Sequence, residues 1–236
     1  MKIGAIILSR MDSTRLPGKA LLDVGGRPLL SYALSFCQKI DDLKSLAIAT
    51  STRAVDDPLS DFAKFHGIPC IRGSLDNVAE RFLSAMEVLN LDAAVRINGD
   101  SPLNNKTLIN DGIGIFRSGN FDLVSNVPAR TYPYGMSVEV VGRKAMEHAC
   151  SLMSDAQHQE HVTKYFYDNE DKFNIKLITS GIAEFSDVQL AIDTQEDFDR
   201  FKWIISRVEG NPADSDIASL VKLAKTYSSN TFKKHE

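Results

Sequence analysis

The 236-residue chain is 43% hydrophobic and 25% charged, ordinary for a soluble globular protein with a sizeable core, and its formal net charge is -4. That balance excludes an overall basic field that would draw the surface to nucleic acid or anionic lipid, so any polyanion must be held by a local cluster. Cys37, Cys70 and Cys150 are too far apart for a CxxC metal site and odd in number, which excludes a disulfide framework and points to the reducing cytoplasm.

The first apolar run is cut by Asp12, Arg15 and Pro17 too early for a signal segment, and no stretch approaches the roughly 20 apolar residues of a membrane span. β-rich runs recur at Ile3–Leu8, Ser45–Thr50, Ile68–Ile71, Ala93–Ile97 and Leu123–Val124. Between them, Pro28 is expected to open a helix carrying Leu29, Leu30, Ala33, Leu34 and Cys37. Asp57 before Pro58 is expected to cap a second, and Asp76 to cap a third with the stripe Val78, Phe82, Met86 and Leu89. The second half predicts strands at Ser137–Val141, Phe173–Ile178 and Val188–Ile192. Its helices are expected at Arg143–Ser151, Gln159–Asp168, Thr194–Val208 and Asp214–Tyr227. Alternating strands and helices predict an α/β protein with a mostly parallel sheet. One domain over residues 1–228 is the simplest organisation, and the polar end, residues 229–236, has too few apolar residues to pack and is expected to fray.

Three segments can carry chemistry. The run after the first strand, Ser9 to Lys19, places Arg10, Arg15 and Lys19 within ten residues, beside Ser13, Thr14 and Gly18. In a doubly wound sheet that loop lies at the carboxyl edge, where three cations can converge on a polyphosphate. It has neither the GxxxxGK[ST] nor the GxGxxG order. Asp100, in Asn98-Gly99-Asp100-Ser101, and Asp193, in Ile192-Asp193-Thr194, each follow a strand, and two strand-end aspartates can share one Mg²⁺ that neutralises phosphate. Thr194 to Asp197 also reads as a capping box, which would make Asp193 a helix-entry residue. The D-x-D pairs Asp197-Phe198-Asp199 and Asp214-Ser215-Asp216 fall in or beside helices and read as surface charge. His161 is open to two readings, a substrate-facing donor or base and a helix-packing side chain.

The segment Ser9 to Lys19 followed by Gly25-Gly26-Arg27-Pro28-Leu29 resembles the opening of the sugar-acid cytidylyltransferases, which include the enzymes for Kdo and sialic acid. Arg72-Gly73-Ser74, Asp76-Asn77-Val78, Arg81-Phe82, Tyr134 to Val140, Glu160 to Thr163 and Ile192 to Asp197 follow in the order of the spore-coat SpsF-like branch, so the resemblance covers roughly residues 1 to 207. It implies a Rossmann-like nucleotide-diphospho-sugar transferase fold, CTP and a sugar acid as substrates, Mg²⁺ as cofactor and a homodimer. In those terms Arg10, Arg15 and Lys19 hold the triphosphate, and Asp100 and Asp193 the metal. Arg72, Ser74 and Asn77 lie near the cytosine with Leu8, Ser9 and Asn98, while Tyr134, Glu139 and His161 face the sugar. A nucleotide-sugar-dependent glycosyltransferase and a non-catalytic nucleotide-binding subunit share this architecture. The lack of a strand-end D-x-D argues against the first, and retention of the three cations with both aspartates against the second.

Overall fold

The computed structural model describes residues 1–232. The chain runs β1 (Ile3–Leu8), a hairpin of β2 (Asp23–Val24) and β3 (Arg27–Pro28), α1 (Leu30–Gln38), β4 (Leu46–Ser51), α2 (Asp57–Phe65), β5 (Cys70–Gly73), α3 (Val78–Val88), β6 (Ala93–Asn98), α4 (Lys106–Ser118) and β7 (Leu123–Ser125). It continues through β8 (Glu139–Gly142), α5 (Arg143–Leu152), α6 (Ala156–Glu160), α7 (Lys164–Asp168), β9 (Ile175–Leu177), α8 (Gln195–Ile205) and α9 (Ile217–Phe232). The central sheet has seven strands in the order β5-β4-β1-β6-β8-β7-β9. All its pairings are parallel except the two made by β8, so β8 alone runs against the other six.

β1 is almost wholly apolar because it lies inside the sheet with helices on both faces, the situation of a doubly covered parallel strand. Ile3, Ala5 and Ile7 point into a core closed by α1, α2, α4, α8 and α9, whereas Ile6 joins a second core under α3, α5 and α7. The reversal of β8 has a positional consequence. Its first residue, Glu139, pairs with Ser125, the last of β7, so the chain entering β8 stands at the same edge as the loops leaving β1 and β6. Among the described residues no helix is long and apolar enough to cross a membrane.

Several expected elements differ for identifiable reasons. Pro28 belongs to β3: Gly25 and Gly26, at φ 61° and 83°, make the two-residue hairpin turn that needs positive φ at both positions, and α1 starts two residues later. Asp56, not Asp57, precedes α2, and Asn77, not Asp76, caps α3 by accepting from Glu80 N at 2.9 Å. α4 was not anticipated. Gly112 and Gly114 weaken its helical pattern, yet Asn105 caps it and Leu108, Ile109, Ile113 and Phe116 bury its face. The segment expected as one helix over Gln159–Asp168 breaks between α6 and α7 at His161–Thr163, which frees Thr163 to reach Glu139. Val188–Ile192 is not a ladder strand. It crosses the sheet edge, pairing once with Tyr134 through Gln189, and Leu190 N and Ala191 N donate to the Tyr134 carbonyl.

The polar end expected to fray over residues 229–236 continues α9 as far as Phe232, with the hydroxyls of Ser228 and Ser229 donating to the carbonyls of Ala224 and Lys225. Residues 233–236 lie outside the described residues.

Two glycines should answer an alanine substitution with opposite signs. Gly135 has φ 98°, and an added Cβ would lie 2.4 Å from Ala191 N, so Gly135→Ala is expected to cost about 2 kcal/mol. Gly114 sits in α4 facing open space, so Gly114→Ala is expected to add about 1 kcal/mol. Thermal denaturation, at roughly 2–4 °C per kcal/mol for a chain of this size, checks both signs.

Candidate active site

The loop after β1 is closed on itself. Gly18 N donates to Met11 O at 2.8 Å, and Met11 N donates at 2.7 Å to the fully buried carboxylate of Asp56, which also accepts from Ser51 Oγ. Arg53 meets Asp12 at 2.6 Å, binding the loop to the end of β4. Gly18 serves through conformation: at φ 70° it turns the chain into a short helical turn that begins at Lys19, while an added Cβ would meet only Met11 at ordinary contact distance. Gly99, which lines the cavity, also serves through closeness to protein, since an added Cβ would lie 2.9 Å from the Ser9 side chain.

At the centre, Lys19 Nζ donates to Asp100 Oδ2 at 2.7 Å, Asp193 Oδ1 at 3.3 Å and the Ile192 carbonyl at 2.6 Å. An ammonium has three donors, and all are used. Arg15 reaches Asp193 at 3.1 Å with a side chain 63% exposed, so its guanidinium can swing onto a ligand. Ile192 N donates to Asp100 O at 2.9 Å, which locks the two aspartate-bearing segments together. The capping box expected at the start of α8 is present, and Asp197 serves Asp193 through it: Asp197 Oδ2 accepts from the backbone N of Asp193 and Thr194 at 3.0 and 2.9 Å. Asp197 is therefore a buried brace, not the surface charge expected of the D-x-D pattern. Burial alone would raise its carboxyl, but the bonds from Thr194, Asp193 and Arg200 outweigh that and hold it below its ordinary value.

A cavity of about 680 Å³ opens beside this centre. Leu8, Ser9, Arg10, Arg15, Lys19 and Asn98 line it together with Asp100 and Asp193, and so do Tyr134, Glu139 and His161. Arg72, Ser74 and Asn77 do not line it. Arg72 donates to the carbonyls of Ser51 and Arg53 and pairs with Asp57, Ser74 Oγ accepts from Asn77 N, and Asn77 is consumed by the cap of α3. The α3 side of the wall is made by Val78 and Arg81 instead. Arg81 donates to the Ser74 carbonyl, and burial, with Arg10 adding like charge, lowers its affinity for the proton although Asp56 opposes this.

The far floor is a buried polar network that the motifs did not disclose. Glu139, 1% exposed, accepts from Arg96 on one oxygen and from Thr163 and Tyr167 on the other, the last at 2.7 Å, and Tyr167 meets Ser125 at 2.7 Å. Burial would raise the Glu139 carboxyl, but Arg96 and the two hydroxyls prevail and hold it low. With bonds on both oxygens, Glu139 orients Arg96 at the cavity's floor. Exposed His161 stands at the α6–α7 break on the same wall. The thiols offer no nucleophile: burial pushes Cys37 and Cys70 up and Cys150 to about 11.

The carboxylates of Asp100 and Asp193 already converge on a cation, the ammonium of Lys19, and hard oxygen donors of this kind suit Mg²⁺. Among the described residues no group of three or more His, Cys, Asp or Glu is placed to hold a metal. Two carboxylates fit a Mg²⁺ ion that takes its remaining ligands from phosphate and water.

The family model described as cytidylyltransferase matches residues 4–228. The spore coat polysaccharide biosynthesis protein SpsF of Bacillus subtilis is 30% identical over 230 residues, covering 92% of each chain. A 3-deoxy-manno-octulosonate cytidylyltransferase of Trichlorobacter lovleyi is 31% identical over 118 residues, 49% of this chain and 45% of that protein. The solved structure of a cytidylyltransferase from Leptospira borgpetersenii superposes with a TM-score of 0.88 at 28% identity, over 98% of this chain and 95% of the other.

The buried carboxylates set an acid limit on stability. Glu139 has a folded pKa below its unfolded value of about 4.3, so it contributes fully above that value and its contribution is lost as pH falls through the lower folded value. Glu139→Gln leaves Arg96 buried without its counter-charge and is expected to cost about 3 kcal/mol near pH 7. Denaturant unfolding of both proteins should show this gap narrowing below about pH 4. A gap that stays constant down to pH 3 would remove Glu139 as the group responsible.

Proposed function

Because the chain belongs to the cytidylyltransferase family of CTP-using nucleotidyltransferases, we propose that it transfers CMP from CTP to a sugar acid of the Kdo or nonulosonic type and releases pyrophosphate. The observation that carries this reading is the pair Asp100 and Asp193 converging on Lys19, between the cation-rich loop and the cavity wall formed by Tyr134 and His161. The match to a 3-deoxy-manno-octulosonate cytidylyltransferase supports an acidic sugar, and the SpsF relative supports a role in surface polysaccharide. In this reading the protein works as a cytoplasmic homodimer.

The triphosphate lies along the β1 loop, with Arg10, Arg15 and Lys19 on its oxygens. Asp100 and Asp193 would hold Mg²⁺, which supplies charge neutralisation at the α-phosphate. A sugar hydroxyl, the anomeric one, attacks that phosphorus in line and passes its proton to solvent water as the new P–O bond forms. The bond from the α-phosphorus to the bridging oxygen breaks, and pyrophosphate leaves. No covalent enzyme intermediate is involved, so catalysis lies in placement and electrostatics. Lys19 and Arg15 act most strongly on the leaving pyrophosphate, whose charge grows as the bond breaks. Asn98 lines the nucleotide side with a side chain that has no protein partner among the described residues.

Pyrophosphate release from CTP with a panel of 3-deoxy sugar acids tests the reaction, and UTP, ATP and GTP are expected to be poorer donors. Equal thermal stabilisation by all four triphosphates would count against CTP, because a ligand stabilises the fold according to its occupancy of the native state. Asp100→Asn and Asp193→Asn should each lower turnover at least about 100-fold while melting near the parent temperature. Calorimetric titration should show weaker Mg²⁺ binding with CTP present, and near-parental turnover at limiting Mg²⁺ would reduce that aspartate to a partner of Lys19.

Lys19→Met separates chemistry from attraction. A group that binds the departing pyrophosphate better than it binds CTP must lower kcat as well as raise the KM for CTP, whereas a group that only attracts nucleotide changes KM alone. Steady-state kinetics at saturating sugar and Mg²⁺ decide it, and an unchanged kcat would place Lys19 outside the chemical step.

A further inference from the structure

The cations of the cavity wall are, with one exception, already committed. Arg10 faces Asp12 and Glu160, Arg15 and Lys19 face the two central aspartates, and Arg96 pairs with Glu139. Lys164 pairs with Asp168, and Arg81 donates to a carbonyl. Of the described lysines and arginines that line the cavity, only Arg130 has neither a carboxylate nor a carbonyl for its side chain. Its guanidinium instead lies over the ring of Tyr134, 4.7 Å from the centroid.

Arg130 is held in place. It sits at φ 37°, a conformation that costs a side-chain-bearing residue energy and persists only where its surroundings impose it. Its N donates to Val127 O at 3.2 Å. On one flank Asn126 bridges Met136 O and Val138 N, at 2.8 Å each, and on the other Ser180 bonds both the hydroxyl and the carbonyl of Thr131. A planar guanidinium stacked on an aromatic face keeps its edge free to meet a carboxylate with two parallel bonds. The loop bearing it enters β8 and lines the same cavity as the β1 loop, whose own cations already face carboxylates. A triphosphate satisfied at the β1 loop leaves this charge for the second substrate.

We propose that Arg130, stacked on Tyr134, is the specificity-determining residue that binds the carboxylate of the acceptor sugar. The assignment rests on the proposed sugar-acid reading. It goes further by making the acid group, and not the sugar ring, the feature this wall selects. Lysine offers a point charge without the planar fork, so it replaces the function only in part.

The test titrates 3-deoxy-manno-octulosonate and N-acetylneuraminate, each beside its methyl ester, into the parent protein, Arg130→Met and Arg130→Lys, and reads the ratio of acid to ester affinity by calorimetry. Because both ligands of a pair meet the same sample, the ratio does not depend on how much of a variant is folded. The parent is expected to prefer at least one acid by roughly tenfold or more, the scale of a charged hydrogen bond. Arg130→Met should bring the ratio close to one, and Arg130→Lys should fall between. A preference that survives in Arg130→Met overturns the assignment and leaves the sugar-acid reading standing. A parent protein that binds acid and ester alike overturns both.

Discussion

Lys19 clasped between Asp100 and Asp193 is the contact on which the rest of the site depends, because it joins three segments far apart in the chain. Two carboxylates brought this close would repel each other without a cation between them. The protein supplies that cation from the β1 loop, whose path is fixed by Asp56, by the left-handed turn at Gly18 and by the contact of Ser9 with Gly99. The other side of the clasp is fixed by backbone bonds and by the Asp197 carboxylate beneath Asp193. Ile192 N holds Asp100 O, the 188–191 backbone holds the Tyr134 carbonyl, and Gly135 leaves room for that approach. The two carboxylates are thus gathered around one cation, and a phosphate ligand reaches Lys19 only by drawing its ammonium out of these bonds.

Charge changes character across the cavity. The β1 loop carries cations on exposed arms, Arg15 most of all, suited to a ligand that arrives and departs. The far floor carries Arg96 and Glu139 in a closed network with Thr163 and Tyr167, which resists rearrangement because an isolated charge would remain behind.

Much of this was legible in the sequence wherever local pattern and tertiary role agree. β1 is a continuous apolar run and β6 is apolar save for Arg96 and Asn98, and Asp100 and Asp193 follow such runs, so sheet and centre could be placed together. Legibility failed where one residue serves two purposes. Gly112 weakens the pattern of α4 because a Cβ there would lie 2.6 Å from Val138. Val188–Ile192 is apolar like a strand, but its bonds go to loop backbone. Arg72, Ser74 and Asn77 belong to a family-like motif, yet their polar atoms close the β4–α2 and β5–α3 turns behind the wall. Arg130 carries no motif at all, and its importance emerges only when every other cation on the wall has been given its partner.

The reversal of β8 ties these observations to the two-substrate chemistry. In an all-parallel sheet the chain before Glu139 would lie at the opposite edge, and the Tyr134 loop could not face Asp193. With β8 reversed, the β6–β8 register that sets Val95 opposite Val140 places Glu139 opposite Arg96, and their ion pair fastens the chain entering β8 to the strand that leads into Asp100. That fastening constrains change. Losing either member strands a buried charge, whereas Arg130 and Tyr134 stand at the surface and can vary at little cost to the fold. A protein built this way can change the exposed side chains of the Tyr134 loop while the central clasp and the buried network stay as they are.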